Sequence, residues 1–315
     1  MKVLVTGADG FVGGWLVREL LRAGHQVVGG IRLGGGPAVL LAESERLRVH
    51  WVDFDLLSAE SVYGLAGVAA DAVVHLAAVA SGTDARHDPG HAWTVNAAGT
   101  ARLLEAIGQR VGPGAGPLVL LISTGEVYGN GLDRPALETD PLRPRSPYAA
   151  SKVGAEVAAR EVADRRGLRL IIARAFPHTG PGQSEKYVVP ALAKRIATAK
   201  RVGAPVIKTG NLTPVRDLTD VRDVVRAYRL LVESGRAGET YNVATGRGVA
   251  LAEVVAELAR LVDHRVIGEP DPNLLRANDL PYLVGDPGRI KKDTGWAATI
   301  PLERTFRDVL DAQTD

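Results

Sequence analysis

Short apolar runs alternate with stretches of helical period from the first residues onward. Lys2–Thr6 predicts a buried strand, and Val12, Trp15, Leu16 and Leu20 predict a helix that stops at Gly24. Further strands are predicted at Gln26–Ile31, Arg48–Asp53, Asp71–Leu76, Leu118–Ile122 and Leu168–Ala173. Between them, helices are predicted from near Ser58, over Thr94–Ile107 and over Ser146–Arg166. Ser146 suits a cap, Pro147 the first helical position and Gly167 the end. Past Arg174 the periods continue in a more loop-rich setting. Val188–Lys200 predicts a helix, Val206–Thr209 a strand, and Thr219-Asp220 opens an amphipathic helix carrying Val221, Val224, Val225, Tyr228 and Leu231. Thr240–Val243 follows as a strand, Leu251–Val262 as a helix, and another helix starts at Asp286-Pro287. Strands that alternate with helices define an α/β protein with a doubly wound parallel sheet, a Rossmann plan, and a smaller C-terminal α/β lobe. We expect residues 1–173 with about 211–243 to form a dinucleotide-binding domain. About 174–210 and 244–315 are expected to form a substrate lobe.

Composition narrows the function. The 315 residues carry a net charge of +2 and 46% hydrophobic residues. No window has the length and apolarity of a membrane span, and charges are interspersed, so neither a membrane nor a nucleic-acid partner is expected. There is no cysteine, which excludes disulfides, thiolate metal sites and cysteine nucleophiles. The N-terminus runs straight into a strand without a signal-peptide plan, so a cytoplasmic location is expected.

Candidate chemistry begins at Gly7-Ala8-Asp9-Gly10-Phe11-Val12-Gly13, between the first strand and the first helix. Such a turn lets backbone N–H groups approach a pyrophosphate at a helix N-terminus. An acid at the end of the second strand would hold an NAD ribose. Arg32 stands there instead, which favours the 2′-phosphate of NADP(H), with NAD(H) as the alternative. Asp55 either meets the adenine or caps the helix near Ser58. His75 at a strand end reads as a packed histidine. His87 and His91 are separated by Pro89 and Gly90, which disfavour a shared helix face, so no metal site is expected. Asp220 and Asp223 have the spacing of a cap. The fifth strand delivers Ser123-Thr124-Gly125-Glu126 to its carboxyl end, where parallel sheets bind ligands. Tyr148 and Lys152 lie four apart on one helix face, a phenol beside an ammonium. A nearby positive charge favours the phenolate, so the pair suits proton transfer.

Taken together, these signals carry a resemblance. Thr-Gly-x-x-Gly-x-x-Gly is followed by His-Leu-Ala-Ala, Asn96-Ala97-Ala98-Gly99-Thr100, Ser123-Thr124-x-Glu126-Val127-Tyr128-Gly129 and Tyr148-x-x-x-Lys152. The set resembles the extended short-chain dehydrogenase/reductases that act on nucleotide sugars (the NAD-dependent epimerase/dehydratase family). In the second half, His178-Thr179-Gly180-Pro181-Gly182-Gln183, Gly210-Asn211-Leu212, and the run from Arg216-Asp217 to Val225 resemble the GDP-4-keto-6-deoxy-mannose reductases. So do Gly285-Asp286-Pro287 and Gly295-Trp296. These features are shared with the GDP-mannose 4,6-dehydratases.

The resemblance implies roles. Tyr148 would protonate a C4 alkoxide as hydride arrives, Lys152 would hold the nicotinamide ribose, and Thr124 would hydrogen-bond the reacting oxygen. Gly7, Gly10 and Gly13 would face the pyrophosphate, with Phe11, Val12, Leu56, Leu76, Ala77 and Ala78 completing the cofactor site. Arg32 would meet the 2′-phosphate and Asp55 the adenine. Arg216 and Arg276 would clamp the diphosphate of a sugar nucleotide, GDP-linked by preference, near Glu126, His178 and Asn211. Two departures stand out. Related enzymes carry Asn where this chain has Pro177, and dehydratases place an acid or hydroxyl where it has Gly125. Gly125 argues against dehydration, although Glu126 retains a base. The expected activity is NADPH-dependent reduction of a GDP-linked 4-keto-6-deoxy sugar. The alternatives are a 4-epimerase or 4,6-dehydratase on the same fold, or a non-catalytic cofactor-sensing protein. A homodimer is also expected, paired through small apolar positions Ala149, Val153, Ala155 and Val157 on the outer face of their helix.

Overall fold

The apolar runs of the first half become β1 (Lys2–Thr6), β2 (Gln26–Arg32), β3 (Val49–Phe54), β4 (Ala72–His75), β5 (Leu118–Thr124) and β6 (Arg169–Ala175). The computed structural model describes residues 1–36, 38–112, 114–130, 133–275 and 279–313. The later strands are β7 (His178–Thr179), β8 (Val206–Thr209), β9 (Val215–Arg216), β10 (Thr219–Asp220), β11 (Thr240–Val243), β12 (Val249–Ala250), β13 (Ile267–Pro270) and β14 (Tyr282–Leu283). Seven strands pair in parallel in the order β11-β6-β5-β4-β1-β2-β3. The order reverses between β1 and β4, which opens a crevice at their carboxyl ends.

The first-half helices are α1 (Phe11–Arg22), α2 (Glu43–Arg46), α3 (Ala59–Ala66), α4 (Gly82–His87), α5 (Pro89–Trp93), α6 (Gly99–Arg110) and α7 (Pro147–Arg166). The second half adds α8 (Val188–Val202), α9 (Val221–Ser234), α10 (Leu251–Leu261), α11 (Gly288–Thr294) and α12 (Leu302–Asp311). Alternation along the strands sorts the core into two layers. Val3, Val5, Ile122 and Ala173 pack against Leu16 and Leu20 of α1 and Val224, Tyr228 and Leu231 of α9. Leu4, Val119, Leu121 and Ile172 pack on the other face against α3, α6 and α7. A separate core joins α8, α10 and α12 (Leu192, Ile196, Val254, Leu258, Phe306) and defines the smaller lobe.

Local chemistry explains three departures from expectation. The helix expected over Thr94–Ile107 starts earlier. Pro89 occupies its first turn, Asp88 Oδ1 accepts from His91 N, and one wide turn, Thr94–Ala98, leads into α6. Asn96 sits in that turn, buried, and anchors Val79 N and O and Ser151 Oγ. The cap of α3 is Ser58, not Asp55: Ser58 Oγ accepts from Ser61 N, while Asp55 is exposed and accepts from Leu57 N. Ala149 and Ala155 are buried within the chain, and only Val157, 62% exposed, lies openly on the outer face of α7. Alanines occupy so many positions of α7 that composition does not reveal which face meets the sheet.

No helix among the described residues is long and apolar enough to cross a membrane. Nor do the described residues bring three or more His, Asp or Glu together as a metal site.

Candidate active site

The glycine turn is built by close approach. Gly7 has φ +72, and a Cβ there would lie 2.9 Å from Ala77 N at the end of β4. A Cβ on Gly13 would collide with the Gly7 carbonyl. Packing therefore dictates both residues. Gly10 differs: it is exposed, and its Cβ would meet only the Gly7 carbonyl at 3.3 Å. It caps α1 without a side-chain bond, so the first N–H groups of the helix receive no acceptor from the cap residue's side chain. That cradle fits a pyrophosphate. Phe11 and Val12 pack inward from α1 against the β1 layer. Leu76, Ala77 and Ala78 line the crevice side of β4, with Ala77 N bonded to Thr6 Oγ1 at 3.2 Å. Leu56 is buried beneath Gly99.

At the end of β2, Arg32 is 87% exposed, and its Nε donates to Asp9 Oδ2 at 2.9 Å. The Asp9 carboxylate itself is 9% exposed. This partner is hidden in the sequence, because the two residues meet only once β1 and β2 lie side by side.

His75 is packed. Thr100 Oγ1 donates to Asn96 O (2.6 Å), so it accepts from His75 Nε2 (3.2 Å), and His75 Nδ1 accepts from Thr6 Oγ1 (2.7 Å). Both ring nitrogens are used in one neutral tautomer, and burial pushes the imidazole down to about 3.

The reactive groups gather where β5 ends and α7 begins. Ser146 Oγ accepts from Ala149 N at 3.1 Å, Pro147 fills the first turn, and Gly167 closes the helix in the left-handed region. Tyr148 and Lys152 share the face that looks toward the strand ends. Lys152 is 6% exposed, and burial pushes its ammonium down to about 8. The Tyr148 phenol is pushed up, first by burial and then by the Glu126 carboxylate, against a hydrogen bond with Thr124. Thr124 is buried at the end of β5, and its Oγ1 also accepts from Glu126 N at 3.3 Å. Thr124, Glu126, Tyr148 and Lys152 thus form one cluster. The phenol is therefore not lowered by Lys152 in the way the spacing of the pair predicts: burial and Glu126 outweigh it and keep the phenol neutral, which makes Tyr148 a proton donor rather than a standing phenolate.

Beneath the cluster lies Phe176, 1% exposed and stacked on Tyr128. A Cβ on Gly125 would come within 2.9 Å of its ring, and one on Gly285 would collide with it. Pro177 contributes its carbonyl, which accepts from Thr219 N at 3.0 Å. His178 Nδ1 donates to Phe176 O at 3.0 Å. Pro181 O, in the same loop, accepts from Trp15 Nε1 of α1 at 3.2 Å, which ties the loop to the cofactor helix.

Arg216, on β9, is held by the segment just before β14. It donates to Leu280 O at 2.6 Å and faces Asp279 at 3.5 Å. Buried Asp217 beside it accepts from Thr245 N, Thr245 Oγ1 and Gly246 N. Asn211 is exposed, and its Oδ1 accepts from Thr213. Arg276 lies outside the described residues. Asp220 caps α9 through Arg222 N, and Asp223 anchors the backbone of Thr299 and Ile300, so both serve structure.

Comparison with known proteins identifies the family. Residues 4–309 match the family model described as GDP-mannose 4,6 dehydratase. Over 312 residues the chain is 33% identical to the GDP-6-deoxy-D-mannose reductase of Pseudomonas aeruginosa, covering 98% of this chain and 96% of the relative. The structure of RMD from Pseudomonas aeruginosa complexed with NADPH superposes with a TM-score of 0.84 at 30% identity, over 99% of this chain and 98% of that one. The Thermus thermophilus UDP-glucose 4-epimerase in complex with NAD superposes at 0.86 and 30% identity, over 100% and 99%. The chain belongs to the GDP-mannose 4,6-dehydratase family, within the extended short-chain dehydrogenase/reductases, and is an NAD(P)-dependent nucleotide-sugar enzyme.

Proposed function

We propose that this chain reduces the C4 ketone of GDP-4-keto-6-deoxy-mannose with NADPH. The observation that carries the choice within the family is Phe176 packed under Gly125. At the position where dehydratases carry an acid or hydroxyl, a Cβ would come within 2.9 Å of the Phe176 ring, so any side chain there must displace it. The identity to a GDP-6-deoxy-D-mannose reductase supports the same reading.

The bound nicotinamide supplies hydride. The protein supplies position and a proton. The α1 N-terminus and Gly10 would cradle the pyrophosphate, and Arg32 would meet the adenosine 2′-phosphate, which favours NADPH, with NADH as the alternative. Lys152 would donate to the nicotinamide ribose hydroxyls. Thr124 and Tyr148 both bond the ketone oxygen, and Tyr148 transfers its phenolic proton as negative charge develops there. Glu126, beside the phenol, keeps it protonated until that moment by disfavouring the phenolate. Arg216 and Arg276 pair with the diphosphate, and His178 and Asn211 border the sugar nucleotide. Pro177 offers no side-chain donor, so the sugar is oriented by Thr124, Tyr148 and Glu126. On this reading, 1–173 with about 211–243 forms the dinucleotide-binding domain and about 174–210 with 244–315 the substrate lobe, and Thr124, Glu126, Tyr148, Asn211 and Arg216 of the first also reach the sugar nucleotide.

The active form is a cytoplasmic homodimer. Exposed Val157 shares a face of α7 with Gly154, over which half-exposed Trp93 packs, and this apolar patch supports self-pairing. Sedimentation at micromolar concentration tests it, and a lone monomer would dismiss it. The activity is tested by incubating the protein with NADPH and GDP-4-keto-6-deoxy-mannose and following NADPH loss against 6-deoxy sugar formed.

A further inference from the structure

Glu156 stands one helical turn beyond Lys152 on α7 and is 2% exposed. Ser123 Oγ donates to Glu156 Oε1 at 2.6 Å. The Arg174 guanidinium grips the same carboxylate, Nε to Oε1 at 3.0 Å and Nη2 to Oε2 at 2.7 Å. Ser123 immediately precedes Thr124 on β5, and Arg174 lies opposite Ser123 on β6. Arg174 also donates to Tyr128 OH (3.0 Å) and Glu138 O (3.1 Å), and Tyr128 OH donates to Asn242 Oδ1 (2.6 Å). One carboxylate therefore joins the Tyr148–Lys152 helix to the strand end that presents Thr124.

Stability is a weak explanation for such a pair, because the desolvation of two buried charges offsets their attraction. Lys152 offers a better one. Burial works against its ammonium, and the Glu156 carboxylate works for it. The other titratable groups around this centre are Tyr148 on α7, His75 on β4, Glu126 in the turn after β5 and Arg174 on β6. His75 is neutral at working pH, and Glu126 acts on Tyr148. Glu156 is thus the negative group that stands beside Lys152 on its own helix.

We propose that Glu156 is a positioning residue for the reaction: its carboxylate, one helical turn from Lys152, fixes the Tyr148–Lys152 helix against the Thr124 strand end. This rests on Tyr148 and Lys152 being the reactive pair. Ser123 is the mechanical half of the device and the carboxylate charge is the electrostatic half, so the two halves separate experimentally.

The test is an NMR titration of Lys152 in protein labelled with ¹³Cε-lysine. Lys152 is one of eight lysines, and its signal is the one lost in Lys152→Met. Glu156→Gln removes the charge but strands buried Arg174, so Glu156→Gln/Arg174→Gln, a neutral hydrogen-bonding pair, is measured beside it. Ser123→Ala breaks the strand tie and keeps the charge. We expect the Lys152 midpoint to fall in both charge-removing variants, by on the order of one pH unit in Glu156→Gln and by less in the double variant, which also removes the Arg174 charge. It should stay put in Ser123→Ala and return in Glu156→Asp. Ser123→Ala should lower kcat about 10-fold with cofactor affinity unchanged, as misplacement of Thr124 requires. An unmoved midpoint in a charge-removing variant that still melts cooperatively overturns the electrostatic half. A wild-type kcat in Ser123→Ala overturns the positioning half. Failure of both charge-removing variants to fold makes the pair a structural element and overturns the proposal. The titration needs no sugar. A wild-type protein inactive toward the proposed sugar counts against the function, while the Lys152 midpoint still judges Glu156.

Discussion

Phe176 lies directly beneath Gly125, so near that a Cβ on the glycine would come within 2.9 Å of the ring. The absence of a side chain at 125 is a packing requirement set by a residue 51 positions later in the chain. Introducing Gly125→Ser should cost about 1–3 kcal/mol through overpacking and should not create dehydratase activity. Urea melts and a GDP-mannose dehydration assay check both parts. A Gly125→Ser protein of unchanged stability would show that Phe176 moves aside freely.

Tyr148→Phe removes the phenolic proton and leaves the ring in place. We expect kcat to fall by ~10²–10⁴ while the affinity for NADPH stays within a factor of about two. Steady-state rates and fluorescence titration with NADPH separate the two effects. An unchanged kcat would remove Tyr148 from the chemistry.

The Asp9–Arg32 pair predicts how cofactor choice responds to mutation. A bound 2′-phosphate must share Arg32 with Asp9. An exposed pair is worth up to ~1 kcal/mol, so Asp9→Asn should raise the preference for NADPH over NADH by about two- to five-fold. Arg32→Ala should lower it by about 10-fold or more, because a charge-assisted bond to phosphate is lost. Paired titrations of both cofactors measure these ratios. A preference that ignores both substitutions would place 2′-phosphate recognition elsewhere.

Lys152 is held in its charged form at a cost to the fold. Its folded value of about 8 lies below the ordinary lysine value of ~10.4. Across the window between them the unfolded chain binds more protons than the folded one, so stability contributed by this group rises with pH there and is lowest below about 8. Lys152→Met should therefore be more stable at neutral pH, by about 1–4 kcal/mol, while losing activity. Urea midpoints near pH 7 and above pH 9 decide it. Wild-type and Lys152→Met curves that run parallel across that range would contradict the sign.

Much of this was legible before folding. Ser146, Pro147 and Gly167 bracket α7 by local capping chemistry. Lys2–Thr6 with Gly7 and Gly10 places a cradle, because strand, turn and helix are contiguous. The hidden parts involve partners apart in sequence. Asp9 meets Arg32, Glu156 meets Ser123 and Arg174, and Phe176 meets Gly125 only after the sheet has aligned them. The outward reading of Ala149 and Ala155 failed for a related reason. Alanine suits either face of a helix, so only the packed sheet decides which face α7 buries.

The central claim is best tested by following NADPH absorbance after addition of GDP-4-keto-6-deoxy-mannose. A reductase gives a loss of NADPH matched one for one by a GDP-linked 6-deoxy sugar, slowed by ~10²–10⁴ in Tyr148→Phe. Conversion of GDP-mannose to a keto sugar with no net loss of NADPH would contradict it.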